Sequence, residues 1–254
     1  MAGAGRAKLT MWEGASLWIL EAEGGLGEMD AHAHHAIQIT CLLSGRQTLA
    51  WNGRSCSDPV VAVDADAPHS LDLEGCCALL FIDPESAAGR AIRGRLFAEG
   101  PVARLDPAAL APDLEALASA WGSGAPTERY RAIGRDMVGR LAAAAPGQSA
   151  LPDPRVARIL AELDRRIEGA VSLSDCSAGI YLSESRLRHI FADETGLPFK
   201  SYLLWRRLGR AVELYADGAS LTEAAHQAGF ADSAHFSRTF RRTFGLPATS
   251  LART

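Results

Sequence analysis

The stretch "GFADSAHFSRTFRRTFG", residues 229–245, decides how the chain is read. Phe236, Phe240 and Phe244 recur every fourth residue, so on a helix they form one stripe, while His235, Arg238, Arg241 and Arg242 fall on the other side. Asp232 has the side chain to cap such a helix, and Gly229 supplies the backbone freedom of a tight turn before it. Upstream, Ser220 or Thr222 can open a shorter helix that contains Glu223, Ala224 and Ala225. The pattern is a helix-turn-helix, and burying the phenylalanines aims the guanidinium groups outward.

Working outward, the unit repeats. "FADETGLPFKSY" from 191 and "FRRTFGLPATSL" from 240 share Phe, Gly-Leu-Pro and Ser at a spacing of 49 residues. "VSLSDCSAGIYLSESRLRHIF" aligns with "ASLTEAAHQAGFADSAHFSRTF" with one residue of slippage. The first copy offers Ser183 as cap, Leu187, Ile190 and Phe191 as buried residues, and Ser185, Arg186, Arg188 and His189 outward. The two units span about 171–192 and 220–244, joined by a long helix around "KSYLLWRRLGRAVELYADG". Arg can bridge guanine O6 and N7 or clamp phosphates in the major groove, where a helix fits. Ser233, Ala234, His235, Ser237 and Arg238 are expected toward base edges, and Arg241 and Arg242 toward phosphates. One basic helix is usually a solvated face; two with matched caps and apolar stripes point to double-stranded DNA.

The charge supports this only locally. Residues 1–150 carry 12 basic and 18 acidic side chains, and 151–254 carry 14 and 12, so the second part is only weakly positive. Its claim on DNA rests on where the arginines point. The chain of 254 residues suits one large or two ordinary domains, with no apolar run of membrane-spanning length and no signal-peptide pattern at its start. A cytoplasmic location is expected. Cys41, Cys56, Cys76, Cys77 and Cys176 are odd in number and form no CxxC pair, so buried free thiols are expected.

Residues from about 8 to 83 read as short strands divided by turn signals, among them "ASLWILEA", "AIQITCLL", "QTLAWNG", "PVVAVDA" and "CALLFID". Asn52-Gly53 signals a tight hairpin. A closed or nearly closed antiparallel barrel is expected over 1–84, then helices near 86–98, 108–121 and 127–144 that pad the barrel or form a dimer surface (85–145). "APGQSALPDP" has linker composition, placing a linker at 146–154 and a helical domain at 155–254. The fold class is α+β.

These residues resemble the AraC-type bacterial transcription regulators. "SLTEAAHQAGFADSAHFSRTFRRTFG" is close to that family's signature, and "RLGRAVEL" matches its Arg-Leu-x-x-Ala pattern; the resemblance covers about 155–253. It implies two recognition helices in successive major grooves, a likeness that makes the chain a homodimeric one-component sensor rather than an enzyme, with RNA polymerase as a partner if it activates. Trp205 would then be packing between the units. Tyr181 stands where the first unit usually has its turn glycine, with Gly179 two residues earlier, so a differently shaped first turn is expected.

The resemblance also implies an amino-terminal sensing domain, and "MDAHAHHAIQITCLLSGRQTLAWNG" with "DADAPHSL" looks like a cupin barrel. His32, His34, Gln38 and His69 are the candidate effector ligands, with a glycine turn expected after the strand that holds Gln38. His32, His34 and His69 are candidate ligands for a divalent metal such as zinc, Gln38 standing where metal cupins have Glu. No cofactor is required by this reading, since histidines in such barrels also serve as hydrogen-bonding groups. His35 points away by strand alternation. The effector is a small molecule or ion. Alternatives are a metal or redox sensor using the histidines or thiols, with Cys41 and Cys77 approaching across the barrel, and a metal-dependent cupin enzyme fused to a DNA-binding domain.

Overall fold

The computed structural model describes residues 6–143 and 153–250, so most of the expected linker lies outside the described residues. The chain divides into two compact units, one of residues 1–149 with 240–254 and one of residues 150–239. The first boundary falls inside the expected linker. The second does not follow the sequence expectation, which kept everything after 155 together.

The first unit is built on one antiparallel sheet. Its strands are β1 (Arg6–Trp12), β2 (Ala15–Glu28), β3 (Ile37–Trp51), β4 (Arg54–Cys56), β5 (Val60–Val63), β6 (Ser70–Ile82) and β7 (Val102–Arg104). They pair in the order β1-β2-β6-β3-β5-β7, with β4 hydrogen-bonded to β3. The path ends at β1 and β7, so backbone pairing does not close the sheet among the described residues. Asn52 and Gly53 both have positive φ, 46° and 73°, the signature of the tight hairpin that joins β3 to β4.

One sequence expectation is corrected here. "AIQITCLL" and "QTLAWNG" are one 15-residue strand, and the glycine between them makes no turn. Gly45 pairs with Gly75 of β6 beside a register shift at Leu42 to Ser44. A Cβ on Gly45 would sit 2.1 Å from the Glu74 carbonyl oxygen, and one on Gly75 would sit 2.3 Å from that of Ser44. Two glycines therefore let the bulged strands stay paired where any side chain would push them apart.

Alternation sorts the faces of this sheet. Leu17, Ile19, Ile37, Ile39, Cys41, Ala78, Leu80 and Ile82 face α1 (Ala87–Leu96), α2 (Ala111–Ser123) and α3 (Thr127–Ala143), in a core shared with Leu117, Tyr130, Ile133 and Met137. Each such aliphatic side chain contributes about 1.5–3 kcal/mol on burial. The helices therefore pad the sheet. Trp18, Gln38, Leu71, Leu79 and Phe81 line the other side.

The same alternation overturns the expected approach of Cys41 and Cys77. Cys41 pairs with Ala78 and Cys77 with Leu42, so the two thiols project to opposite faces. All five cysteines are free and buried. Burial raises the Cys41 and Cys76 thiols to about 12 and the Cys77 thiol well above its ordinary value, which removes the reactive thiolate.

The second unit is helical: α4 (Pro154–Arg166), α5 (Leu173–Cys176), α6 (Glu184–Thr195), α7 (Phe199–Ala216), α8 (Leu221–Gln227) and the first part of α9 (Ser233–Phe244). Its core joins Val156, Ile159 and Leu163 of α4 to Leu187, Ile190 and Phe191 of α6 and Phe199, Tyr202 and Leu203 of α7. The Arg-Leu-x-x-Ala pattern has a structural meaning. Leu208 and Ala211 are buried, while Arg207 donates from Nε to the Ile167 carbonyl at 3.0 Å and from Nη2 to that of Gly169 at 2.5 Å. Trp205 is half-buried.

Candidate nucleic-acid interface and imidazole cluster

Both helix pairs are started by side-chain caps. Ser172 and Asp175 form a reciprocal capping box on α5, as Ser220 and Glu223 do on α8. The second helices of the pairs are capped by Ser183, whose Oγ accepts from Arg186 N at 3.3 Å, and by Asp232, whose Oδ1 accepts from His235 N at 2.6 Å. Gly229 takes the left-handed turn at φ 79°, and a Cβ there would meet Arg207 Nε at 2.8 Å and the Ile167 carbonyl at 2.9 Å. In the first unit that conformation falls on Gly179, φ 78°, and Tyr181 keeps a negative φ, so the turn is shaped differently, as the sequence suggested.

On α6, Leu187, Ile190 and Phe191 are buried, and Ser185, Arg186, Arg188 and His189 are exposed. Arg188 is paired with Glu184 one turn away, an exposed pair of little energetic weight that leaves it able to turn to a phosphate. On α9, Phe236, Phe240 and Phe244 are buried, whereas Ala234, Arg238, Arg241 and Arg242 are exposed. Ser233 and Ser237 are half-buried. His235 is also half-buried, its ring edge-on to Phe230 at 5.3 Å, so packing takes part of a side chain the sequence placed outward.

The α9 stripe is divided between partners. Phe236 packs on Phe230 at 5.4 Å, while Phe240 stacks on Trp18 at 6.2 Å and Phe244 lies against Trp18 at 4.8 Å and Phe81 at 5.6 Å. These contacts place residues from 240 onward in the first unit. Arg241 is engaged there too, its Nη2 2.9 Å from Asp30 Oδ2. Arg238 and Arg242 form no ion pair among the described residues.

A second constellation lies on the open side of the sheet. His32 and His69 form a two-bond antiparallel bridge, each main-chain N donating to the other's O at 2.9 Å. Each of the three cluster rings turns its Nδ1 to a main-chain carbonyl two residues away: His32 to Asp30 at 2.8 Å, His34 to Ala36 at 3.1 Å and His69 to Ala67 at 2.9 Å. A carbonyl can only accept, so Nδ1 bears the proton in His32 and His69 and leaves Nε2 its lone pair, whereas His34 meets an accepting oxygen at both ring nitrogens. The ligating atoms of the three rings lie within 4.8 Å of one another. Gln38 Oε1 lies 2.9 Å from His34 Nε2 and 3.4 Å from His69 Nε2, while its amide N donates to Thr40 Oγ1 at 2.8 Å. Lone pairs thus converge, and a proton, a rotated amide or a metal ion resolves the crowding.

Burial, then the neighbouring His69 and His32 rings, hold His34 well below its ordinary pKa. His69 is lowered to about 4 by burial and by His32, and His32 is lowered by burial. The cluster is therefore neutral near pH 7, the state that binds a metal. The donor set fits a divalent ion, with each ring oriented by a carbonyl behind it. Trp18, Met29, Leu71, Leu79, Phe81, Phe244 and Leu246 enclose the remaining space, about 10 Å³, roughly room for one water. The Trp18 indole N–H is buried and has no hydrogen-bond partner among the described residues.

His35 pairs with other groups than the cluster, as expected, but it lies in a bend before β3 and not on a strand as the alternation argument assumed, and its partners were not legible. Its Nδ1 lies 2.7 Å from Asp66 Oδ2, and its Nε2 pairs with Glu85. Burial lowers its pKa, but hydrogen bonds and charges from Asp66 and Glu85 outweigh that and raise it to about 9.

Comparison with known proteins agrees with the fold. A family model described as a helix-turn-helix domain matches residues 176–254. YidL of Escherichia coli (strain K12), an uncharacterized HTH-type transcriptional regulator, is 36% identical over 92 residues, 36% of this chain and 31% of that protein. The transcriptional activator RhrA of Rhizobium meliloti (strain 1021) is 29% identical over 106 residues, 40% of this chain and 33% of that protein. Over this segment the chain is similar to helix-turn-helix transcription regulators. The matched segment spans about a third of the length of those curated relatives. The crystal structure of ToxT from Vibrio cholerae O395 shares the fold over 97% of this chain and 96% of that one, with a TM-score of 0.57 and 12% identity. The likeness is one of fold: among the described residues, an antiparallel sheet with helices is followed by a helical region that includes the helix-turn-helix match. Among the described residues, no helix is long and apolar enough to cross a membrane.

Proposed function

We propose that this AraC-type chain reads promoter DNA in a sequence-specific way and is controlled by an effector bound at the imidazole cluster. The observation that carries the DNA reading is the pair of capped helices, α6 and α9, each burying an apolar stripe and exposing arginines. Arg238, exposed and without an ion pair among the described residues, is the side chain best suited to a guanine edge. Arg238→Ala is expected to weaken binding to a selected operator at least about tenfold, the scale of one bidentate contact. Arg165→Ala, on α4 and paired with Glu162, serves as control. Equal losses in a binding titration would remove α9 from the reader.

For the effector, three neutral imidazoles and space for about one water favour a divalent cation held by His32, His34 and His69, with Gln38 beside them. Zinc suits this set of nitrogen ligands. A small organic effector is the second reading, favoured by crystal structures of ToxT that hold an unsaturated fatty acid or a naphthalenyl butenoic acid. Such a ligand would need side chains around Trp18 and Phe81 to move. Either effector acts only by binding two arrangements of the chain unequally. Metal analysis and calorimetric titration of the purified chain test the ionic version; no binding of zinc or another divalent ion would leave the organic one.

A further inference from the structure

The segments that join the two helices of each reader unit differ by one residue. In the second unit, left-handed Gly229 is followed by Phe230 and Ala231 before the cap Asp232. In the first, left-handed Gly179 is followed by Ile180, Tyr181 and Leu182 before the cap Ser183. Counting back from the caps, Phe230 and Tyr181 occupy the same place. Phe230 is buried. Around Tyr181, Ile180 and Leu182 pack on the helical core instead, and the extra residue is extruded with its side chain 98% exposed.

The extrusion is held in place. Leu182 N donates to Ile180 O at 2.9 Å, closing a three-residue turn with Tyr181 at its apex. Ile180 N donates to Ser177 O at 2.9 Å, and Arg158 Nη2 of α4 donates to Ala178 O at 3.4 Å. Exposure of a single tyrosine is ordinary in itself. Its position gives it weight, because the apex lies two residues before the cap of α6 and is continuous with the exposed Ser183, Glu184, Ser185 and Arg186. A phenol on a short, braced turn has few torsions to fix on binding, an apolar ring to lie against a sugar and a hydroxyl to donate.

We infer that Tyr181 is a DNA-backbone contact flanking the groove that α6 enters, its ring against a deoxyribose and its hydroxyl donating to a phosphate oxygen. This rests on the DNA-reading function proposed above. A contact of this kind fixes the register of α6 on the duplex and leaves base choice to the helix itself. It also gives the differently shaped first turn a use.

The test uses the full chain, a duplex enriched by the wild type from a random-sequence pool, and a scrambled duplex of equal length. Tyr181→Ala is expected to weaken both complexes about five- to tenfold while leaving their ratio and the unfolding temperature unchanged. Tyr181→Phe, which lacks only the hydroxyl, is expected to lose about threefold. Unchanged affinity for both duplexes in Tyr181→Ala would overturn the inference, as would a loss confined to the enriched duplex, which would mark a base contact. Normal DNA binding with a fall in transcription by added RNA polymerase would likewise overturn it in favour of a protein contact. If the wild type enriches no sequence, the DNA reading fails and this contact with it. If it enriches one that Arg238→Ala releases and Tyr181→Ala does not, only the Tyr181 assignment fails.

Discussion

His34 and His35 are neighbours in the chain and opposites in chemistry. His34 sits among two other imidazoles and an amide, and burial with like neighbours keeps it neutral. His35 is equally buried, at 3% exposure, yet is bracketed by two carboxylates and holds its proton to about pH 9. Burial disfavours the charged form in both cases; the neighbouring groups decide whether it prevails. The difference separates an ion-paired ring from a neutral one: one ring is held between Asp66 and Glu85, and the other sits in a cluster of imidazoles beside an amide.

The largest expected effect breaks the structural side of this pair. His35→Ala leaves Glu85, with one carboxylate oxygen already unpartnered, buried without its cation. A loss of about 3–5 kcal/mol is expected in denaturant unfolding. A change near zero would show that the carboxylates find other partners and that the contrast with His34 is superficial.

The next is a pH effect on the wild type. Because His35 has a folded pKa raised from 6.5 to about 9, its stabilisation is complete below pH 6.5 and is lost as pH rises toward 9. The loss amounts to at most about 3 kcal/mol, since each pKa unit corresponds to about 1.4 kcal/mol. His35→Ala should flatten the stability profile over that window. A wild-type profile already flat there would mean that the ring is neutral in the folded chain.

The smallest sharpens the other side. Zinc at one hundred times its dissociation constant is expected to raise stability by about 2.7 kcal/mol, read as an upward shift in unfolding temperature that a chelator reverses. His34→Ala should abolish the shift and His35→Ala should retain it. The shift should persist below pH 6.5 and fade as pH nears the lowered pKa of the folded imidazoles, about 4 at His69, where protons compete with zinc for the ring nitrogens. An equal zinc response in both variants would dissolve the distinction between the rings.

What was legible in the sequence was mostly local. The α9 stripe, the Asp232 cap, the Gly229 turn and the Asn52-Gly53 hairpin each follow from a few adjacent residues, and the structure has all four. What escaped depended on distant partners. Nothing near His35 announces Asp66 or Glu85, which lie 31 and 50 residues away. Gly45 signals a turn when read alone and a bulge only when Gly75 is placed opposite it. The division of the phenylalanine stripe depended on Trp18, more than two hundred residues upstream, and strand register alone put Cys41 and Cys77 on different faces.

The joining helix α7 has a consequence for the DNA as much as for the chain. Its 18 residues form a rod about 27 Å long, the same order as the ~34 Å helical repeat of B-form DNA. Arg207 pins that rod to the end of α4, and the space beside Gly229 leaves no slack where α8 turns into α9. On the proposed reading the chain would act as a ruler as well as a reader: the rod would set the phase between two stretches of DNA, and each added residue would rotate one helix pair by about 100° relative to the other.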